Sequence, residues 1–187
     1  MPNIFTFRPL AFSDIPLMHQ WFNAPHVQKF YSLRQWSEDE VLEKLKPYIT
    51  GEKPVSGFIA LLDEKPIGYI QQVKISDYPW PNQNLPEEIV QNAAGVDIFI
   101  GDQSMVGIGI GVKIMWAFIE NKIWPQFEYC IVDPDINNNA AIRCYEKLQF
   151  KTQTVINTKD TLGKPATLKL MILRLAGGAA SRNRGVA

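Results

Sequence analysis

The sequence predicts an α/β protein whose mixed sheet carries helices on both faces. Stretches with the two-residue alternation of β-strands are interleaved with stretches whose apolar residues recur every three or four positions, as in amphipathic helices. These elements follow the order β-α-α-β-β-β-α-β-α-β-β. The chain has 187 residues, of which 46% are hydrophobic, enough for one good core. We therefore predict a single domain over residues 1–175 and a disordered tail over residues 176–187.

The first strand and the first helix are predicted near the N-terminus. Residues 4–10 alternate well enough for a strand, and Pro9 ends it. Ser13-Asp14 has the residue types of an N-cap, and Pro16 is tolerated in the first turn of the helix that follows. That helix is predicted to end near Asn23.

A second helix and a hairpin follow. Ser37 and Glu40 have the spacing of a capping box, which predicts a helix from there to about Tyr48. Two strands are then predicted, over residues 56–62 and 67–75. The short polar segment between them has the length and composition of a hairpin turn.

The second half of the chain begins with a loop rich in Pro and Asn over residues 77–86, which is long for a compact domain. Six further elements are predicted after it by the same periodicities. They are a strand over 94–100, a helix over 109–122, a strand over 127–132, a helix over 137–148, and strands over 151–157 and 166–175.

Charge argues against some partners and points to another. The 19 basic and 19 acidic residues give a net charge of zero, so no overall field favours nucleic acid or an anionic membrane. Residues 75–112 nevertheless contain no Lys or Arg. This window is either a solvated acidic surface or a wall that accepts a cationic ligand. Its carboxylates are Asp77, Glu87, Glu88, Asp97 and Asp102.

The two cysteines indicate a reducing compartment rather than a metal site. Cys130 and Cys144 lie in apolar patterns, and neither has metal-ligand spacing with a second Cys or His. We therefore expect both thiols to be reduced, buried and structural, and we expect no metal. The N-terminus has no leader pattern, and no segment has the roughly 18 apolar residues of a membrane span. The expected protein is soluble and cytoplasmic.

A glycine-rich turn is the first candidate functional motif. Residues 106–113 follow an apolar strand pattern and open a helix, with glycine at three alternate positions. Glycines let the backbone approach a bulky anion, and a helix start presents N–H groups and a positive dipole end to it. The motif predicts a site for a diphosphate, although a dinucleotide-binding fold or an ordinary turn has a similar pattern.

A second motif lies about 30 residues further on. Asp133-Pro134 ends a predicted strand, and Asn138 and Tyr145 in the next predicted helix share one face with Ile142 because their spacings are four and three. That helix can present an amide and a phenol toward the glycine turn. Alternatively, Tyr145 is an interfacial aromatic whose hydroxyl lies in water.

Together the two motifs resemble the acetyl-CoA-binding half of the GNAT acyltransferases. The resemblance implies a GNAT fold, with acetyl-CoA as co-substrate and no metal. It also implies that the strand before the glycine turn splays from its neighbour to admit the pantetheine arm, that the glycine turn binds the pyrophosphate, and that Tyr145 is the general acid for the leaving thiolate. The expected contacts to acetyl-CoA are Ile98, Ile100, Val106, Gly107, Ile108, Gly109, Ile110, Gly111 and Asn138.

The sequence departs from the general GNAT pattern at two positions. Val106 stands where Arg or Gln usually precedes the glycines, so one phosphate donor is missing. Gln149 stands where glycine usually precedes the final Phe150, which predicts a non-glycine residue in a strained backbone conformation.

The rest of the chain is similar to the aminoglycoside 6'-N-acetyltransferases, over about residues 5–174. The similarity implies that Asp97 is the carboxylate at the acceptor amine and that Asp77 and Asp133 hold other ammonium groups. It also implies that Trp80 and one aromatic, Phe30 or Tyr31, line the acceptor site. The similar stretches are Trp21-Phe22-Asn23, His26, residues 65–71, Asp77 to Trp80, residues 95–97 and residues 141–147.

The chemistry independently favours a carboxylate at such a site. Aminoglycosides are polycations, and the attacking amine must lose a proton before it reaches a thioester, so Asp97 can orient the amine and accept the proton. A strand-end carboxylate that only caps a turn is the alternative for Asp97. For His19 and His26 we expect packing or helix-end roles.

Three hypotheses follow for the function. The first is direct acetyl transfer from acetyl-CoA to a cationic aminoglycoside amine in a ternary complex. The second is a GNAT enzyme for another amine, such as a hydroxylated lysine in siderophore assembly. The third is a non-catalytic module that binds acyl-CoA. The oligomeric state is left open.

Overall fold

A computed structural model describes residues 4–78 and 84–175. Within them the chain forms seven strands and six helices, with π-helical turns at Gln28–Ser32 and Ile119–Ile123. In order these elements are β1 (Phe5–Pro9), α1 (Ile15–Phe22), α2 (Pro25–Val27), α3 (Glu38–Ile49), β2 (Val55–Leu62), β3 (Lys65–Lys74), α4 (Glu87–Asn92), β4 (Ala93–Ile100), α5 (Ile110–Phe118), β5 (Tyr129–Val132), α6 (Asn139–Lys147), β6 (Lys151–Lys159) and β7 (Pro165–Arg174).

The predicted α/β class with a mixed sheet is confirmed. The strands pair in the order β1-β2-β3-β4-β5-β7-β6. β4 and β5 are parallel, whereas β1 and β2, β5 and β7, and β6 and β7 are antiparallel. All seven predicted strands and the four predicted helices are found; α2 and α4 were not predicted. Both are short, and α4 follows Pro86, which ended the predicted loop.

The chain divides into two compact units. Unit 1 comprises residues 1–72 and 97–114, and unit 2 comprises residues 73–96 and 115–187. β3 and β4 each contribute residues to both units. The single domain over residues 1–175 stays a prediction, and the predicted tail, 176–187, lies outside the described residues.

Unit 1 has helices on both faces of its strands. Ile59 of β2 packs in a buried cluster with α1 and α3, whereas the next residue, Ala60, packs with α5. Because successive strand residues point to opposite faces, the two clusters lie on opposite sides of β2. The first cluster includes Met18, Phe22, Val41, Leu45, Tyr69 and Phe99, and the second includes Ile67, Ile110 and Ile114.

Unit 2 has its own core and contains the predicted backbone strain. Ile75, Tyr129, Ile131, Ile156 and Leu170 form one buried cluster there. After α6 the backbone turns sharply into β6, where Gln149 has a φ of 69°. The prediction of a left-handed non-glycine residue at this position is therefore confirmed, and such a conformation costs roughly 1 kcal/mol or more.

The two predicted helix caps have different outcomes. The Ser37 hydroxyl accepts a hydrogen bond from the Glu40 N–H at 3.2 Å, and the Glu40 carboxylate accepts one from the Ser37 N–H at 2.8 Å, which confirms the capping box. Asp14 precedes α1, but its carboxylate makes no cap hydrogen bond to that helix. It binds Arg8 instead. Pro16, in the first turn of α1, has no N–H to donate.

The Arg8–Asp14 pair anchors β1 to α1. The Arg8 guanidinium donates to both carboxylate oxygens of Asp14 at 2.7 and 2.6 Å, and the Ala11 N–H donates to one of them at 2.9 Å. Burial raises the pKa of Asp14, but the bonds from Arg8 and Ala11 outweigh it, and the net shift is downward. The folded state therefore favours the charged carboxylate.

Asp14→Asn is expected to lower the free energy of unfolding by about 1–2 kcal/mol at pH 7, because it removes the charge of the Asp14 carboxylate and one of its two hydrogen bonds from the partly exposed Arg8 guanidinium. A folded-state pKa below the unfolded one contributes stability above the unfolded pKa and loses it as the pH falls through the folded pKa. The difference in the free energy of unfolding between wild type and variant should therefore become smaller below about pH 4. Urea titrations at several pH values measure this. Asp39→Asn, on the exposed first turn of α3, is the control, and a difference independent of pH would contradict the account.

Candidate functional site

The glycine turn between β4 and α5 has the open backbone that an anion cradle requires. Gly107 and Gly109 have φ values of +83° and +81°. A Cβ built on either would meet no atom within 4 Å, so glycine is needed there for its backbone conformation rather than for space. Val106 and Ile108 are exposed, the latter by 66% of its surface. The predicted sharp turn is confirmed.

The start of α5 adds to the suitability of this turn for an anion. α5 begins at Ile110, which is buried against Ile114 and β3 and so anchors the helix start. The first N–H groups of a helix have no acceptor within the helix, and the helix dipole favours negative charge at that end. The first turn of α5 contains no acidic residue. The residues present therefore fit a phosphate-bearing ligand.

Asp97, on the second half of β4, is held by a chain of side-chain hydrogen bonds. The Gln71 amide donates to the Asp97 carboxylate at 2.8 Å, and the Tyr69 hydroxyl donates to the Gln71 amide oxygen at 3.0 Å. Because Tyr69 donates to the amide oxygen, the amide NH₂ is left to face Asp97. Residues of β3 therefore orient Asp97. These contacts do not cap a turn, which was the alternative role for Asp97.

Aromatic rings surround this hydrogen-bonded chain in unit 1. Phe99, two residues after Asp97, lies 4.7 Å from the Tyr31 ring and 5.6 Å from the Tyr69 ring between centroids. The Tyr31 hydroxyl lies 3.5 Å from the Gln71 amide oxygen, a long contact. Of the two aromatics predicted to line the acceptor site, Tyr31 is therefore the one beside Gln71. Phe30 is half-buried with its ring 5.2 Å from the Lys29 ammonium.

The setting of Asp97 makes it a better proton acceptor than an ordinary surface carboxylate. Solvent reaches Asp97, yet protein atoms surround enough of the carboxyl group that desolvation raises its pKa, against the opposing effects of the Gln71 hydrogen bond and the Lys44 charge. Burial lowers the pKa of Lys44 and raises the pKa of Tyr31 well above its usual range. The phenol of Tyr31 is therefore neutral at pH 7.

β4 continues beyond its pairing with β5. The parallel ladder joins Ala93–Gly95 to Tyr129–Ile131 and includes no later residue of β4. Ile98 and Ile100, both predicted contacts to acetyl-CoA, lie beyond it in unit 1. Their N–H groups are thus not used by this ladder.

The other predicted site residues that the structure describes lie in unit 2, and their roles stay predictions. Asn138 accepts a hydrogen bond from the Ala141 N–H at 3.2 Å and so caps α6. Tyr145 is buried and packs on the Phe150 ring with 5.5 Å between centroids. Asp77 is exposed beside Ser76 and Lys74, Asp133 is half-buried, and Trp80 lies outside the described residues.

Sequence reasoning assigned no role to Gln71, Tyr69, Phe99 or Lys44. The sequence did contain a pattern that could have identified Tyr69, Gln71 and Phe99. Tyr69 and Gln71 are two apart on one strand, as are Asp97 and Phe99 on the next, so each pair shares a face. Lys44 carried no such signal, because its approach to Asp97 depends on how α3 packs.

Residues 4–78 and 84–175 contain neither a candidate metal site nor a helix that could span a membrane. No three His, Cys, Asp or Glu side chains are grouped closely enough to hold a metal ion. No helix in this part of the chain is both long and apolar enough to cross a membrane.

A family comparison decides between the possible anion ligands. Residues 11–158, most of the chain, match the sequence profile of the acetyltransferase (GNAT) domain. The chain belongs to the GNAT acetyltransferase family. The dinucleotide-binding fold is therefore excluded as an explanation of the glycine turn, and the role of the turn as the pyrophosphate site stays a prediction.

Within the GNAT family, the chain is similar to individual acetyltransferases in sequence and in fold. The chain is 28% identical over 161 residues to aminoglycoside N(6')-acetyltransferase type 1 of Klebsiella pneumoniae, covering 83% of this chain and 78% of that protein. It is similar to the crystal structure of aminoglycoside acetyltransferase AAC(6')-Ib in complex with coenzyme A and kanamycin, with a TM-score of 0.74, 25% identity, and 97% of this chain and 100% of that chain covered. A spermidine N-acetyltransferase from Vibrio cholerae shares the fold, with a TM-score of 0.70, 16% identity, and 91% of this chain and 95% of that chain covered.

Proposed function

We propose that this protein transfers the acetyl group of acetyl-CoA to the 6'-amino group of an aminoglycoside, by direct attack in a ternary complex. The observation that carries the proposal is Asp97, a hydrogen-bonded carboxylate with a raised pKa on the strand that leads into the glycine turn. The AAC(6')-Ib structure with coenzyme A and kanamycin supports the same pairing of donor and acceptor. In this proposal no covalent enzyme intermediate forms.

The glycine turn and the start of α5 hold the acyl donor. Residues 106–111 offer an exposed backbone, two left-handed glycines and a helix N-terminus, which together suit a pyrophosphate. Val106 donates no side-chain hydrogen bond, so the backbone carries this contact. Ile98 and Ile100 contribute backbone groups of β4 to the pantetheine arm and the thioester, and Asn138 is a further contact to the donor.

Asp97 prepares the acceptor. The amine enters as an ammonium ion, and its proton passes to Asp97 directly or through a water molecule. The amine nitrogen then forms a bond to the thioester carbon, and the carbon–sulfur bond breaks as the tetrahedral intermediate collapses. Tyr145 supplies a proton to the thiolate that leaves, and the second proton that the nitrogen loses as it becomes an amide returns to the Tyr145 oxygen through water. The products are an acetamide and coenzyme A.

The remaining substrate contacts come from anionic and aromatic side chains. Tyr31, rather than Phe30, offers a neutral phenol beside Gln71, and the family resemblance adds Trp80 as a second aromatic. Asp77 and Asp133 hold further ammonium groups of the polycationic acceptor.

A screen that follows consumption of acetyl-CoA tests the proposal. The acceptors are kanamycin, polyamines, hydroxylysine, peptides, and the pair neomycin and paromomycin, which differ by an amine or a hydroxyl at the 6' carbon. We expect turnover with kanamycin and neomycin and almost none with paromomycin, although paromomycin keeps its other amines. Equal turnover of the pair would contradict 6'-acetylation, and no turnover of any amine would favour a non-catalytic module.

One observation favours a second acceptor class. The positive charge of Lys44 acts on Asp97, so an acceptor that carries both an amine and a carboxylate, such as a hydroxylated lysine, meets charges of both signs. If this class is the substrate, hydroxylysine should exceed kanamycin in kcat/KM, and Lys44→Met should reverse that preference.

Gln71→Met is expected to shift the acid limb of the pH profile of kcat/KM to higher pH. The Gln71 hydrogen bond favours the charged carboxylate, so its loss raises the pKa of Asp97 and leaves less base at a given pH. We expect a fall in kcat of about tenfold at pH 7. Initial rates with kanamycin from pH 5 to 9 measure both effects. Gln72→Met, the next residue along the strand, is the matched control, and equal profiles for the two variants would remove Gln71 from the site.

We also infer a cytoplasmic location. Cys130 is buried as expected, whereas Cys144 on α6 is only half-buried, and both thiols are free, which is consistent with a reducing compartment. The zero net charge supports the absence of a nucleic-acid partner.

A further inference from the structure

His26 of α2 contacts the segment that joins β4 to the glycine turn. Its Nε2 lies 2.9 Å from the backbone carbonyl oxygen of Ile100, the last residue of β4. Its Nδ1 lies 2.9 Å from the side-chain amide of Gln103, in the 3₁₀ turn that precedes the glycines. One imidazole ring therefore bridges the end of the strand and the beginning of the turn.

The chemistry of these two contacts fixes how the ring is used. A backbone carbonyl only accepts, so Nε2 carries a proton and donates it to Ile100. As placed, the Gln103 amide presents its oxygen to Nδ1, and a charged ring donates to it, whereas a neutral ring accepts at Nδ1 from the Gln103 NH₂ after a flip of the amide. Either form of the ring satisfies both contacts, which indicates a structural clamp.

The same connection is held from two other directions. Trp21 of α1 packs directly on Gly101, where a Cβ would lie 2.2 Å from the indole. The N–H groups of Gly101 and Asp102 both donate to the Ile67 carbonyl of β3, at 2.9 and 3.1 Å. Any side chain at Gly101 would thus force Trp21 away. The connection is therefore held by contacts from α1, α2 and β3.

The 3₁₀ turn itself is closed by a carboxylate. Asp102 accepts hydrogen bonds from the Ser104 N–H and hydroxyl at 3.0 and 2.6 Å, and it lies 3.6 Å from the Lys65 ammonium. Gln103, which His26 contacts, lies inside this closed turn. Only two residues separate Gln103 from Val106, which precedes the glycines. The position of His26 therefore also sets the position of the glycine turn.

From these contacts we propose that His26 is a positioning residue for the acyl donor, which sets the glycine turn relative to the end of β4. The inference rests on the proposed function of that turn as the pyrophosphate site. The strand end contacts the pantetheine arm and the turn contacts the pyrophosphate, so their spacing must match one molecule. His26 fixes that spacing without touching the donor. Trp21 and His26 thus both hold the segment that joins β4 to the glycine turn.

Donors with and without the pyrophosphate test the proposal. Acetyl-CoA carries the pyrophosphate and S-acetylpantetheine lacks it, and both offer the same thioester to kanamycin. We expect His26→Ala to lower kcat/KM for acetyl-CoA about tenfold, mainly through KM, and to change kcat/KM for S-acetylpantetheine less than about twofold. The KM for kanamycin should remain within about twofold of wild type. His26→Gln retains an N–H donor and should recover most of the loss.

The chain offers a matched control in its other histidine. His19 Nε2 lies 3.0 Å from the Trp36 carbonyl, a similar contact on α1 that does not involve the glycine turn. His19→Ala is expected to lower the midpoint of urea unfolding without changing the ratio of kcat/KM between the two donors. Equal losses on both donors in His26→Ala, or the same change of ratio in His19→Ala, would overturn the proposal.

Three further outcomes remain decisive. If His26→Ala does not fold, the exposed Gln103→Ala variant replaces it, with an expected selective loss of about threefold on acetyl-CoA; no selective loss there overturns the proposal. If wild-type protein shows no preference for acetyl-CoA over S-acetylpantetheine, the pyrophosphate site fails and the inference about His26 with it, whereas no acetylation of kanamycin from either donor would contradict the proposed function. These results are distinguishable because the last two concern the wild type alone.

Discussion

Asp97→Asn is expected to lower kcat with kanamycin about 100- to 1,000-fold, since the asparagine amide cannot accept the proton of the attacking ammonium group. The substitution preserves size, and Gln71 can still hydrogen-bond to the remaining amide oxygen. Binding of coenzyme A, measured by calorimetry, should stay within about twofold of wild type. The variant should also lose the acid limb of the pH profile, because that limb reports the titration of the Asp97 carboxyl group.

Asp63→Asn is the control for this experiment. Asp63 lies in the β2–β3 turn with a φ of 48°, a conformation that asparagine tolerates. Its kcat should equal that of wild type. Unchanged turnover in Asp97→Asn would remove Asp97 from the mechanism, whereas loss of coenzyme A binding would mean that the residue holds the donor instead.

Tyr145→Phe is expected to reduce kcat about 10- to 100-fold while the KM for kanamycin changes little, because the variant lacks the hydroxyl that protonates the leaving thiolate. The Tyr145 ring packs on Phe150, and phenylalanine retains that packing. Initial rates over a range of kanamycin concentrations separate the two parameters.

Tyr129→Phe removes a comparable hydroxyl from unit 2. The Tyr129 hydroxyl lies 3.3 Å from the Glu88 carboxylate, and its loss should leave kcat unchanged. If Tyr145→Phe has the kcat of wild type, or if the two variants lose activity equally, Tyr145 is not the general acid.

The features that sequence predicted well are those whose physical cause is local. The Ser37–Glu40 capping box spans four residues, and the backbone conformations at Gly107, Gly109 and Gln149 depend on turns of similar length. Strand alternation likewise identified β1 to β7 within two residues at each end. Periodicity and turn chemistry determine such features without reference to the rest of the chain.

Contacts between distant residues were not predictable in the same way. Gln71 and Asp97 are 26 residues apart, and His26 is 74 residues from Ile100. Such pairs require the packing of helices and strands, which a single sequence does not supply. Asp14 shows the same limit at short range, since the residue type suits an N-cap and the carboxylate nevertheless binds Arg8.

The most direct test of the central claim, that the glycine turn at the start of α5 holds the diphosphate of an acyl donor, is a calorimetric titration of the pure protein with coenzyme A, followed by pantetheine under the same conditions. The account predicts saturable binding of coenzyme A at one site per chain, and pantetheine at least about tenfold weaker because it lacks the charged groups that the turn contacts. No heat with coenzyme A, or equal affinity for the two ligands, would contradict it.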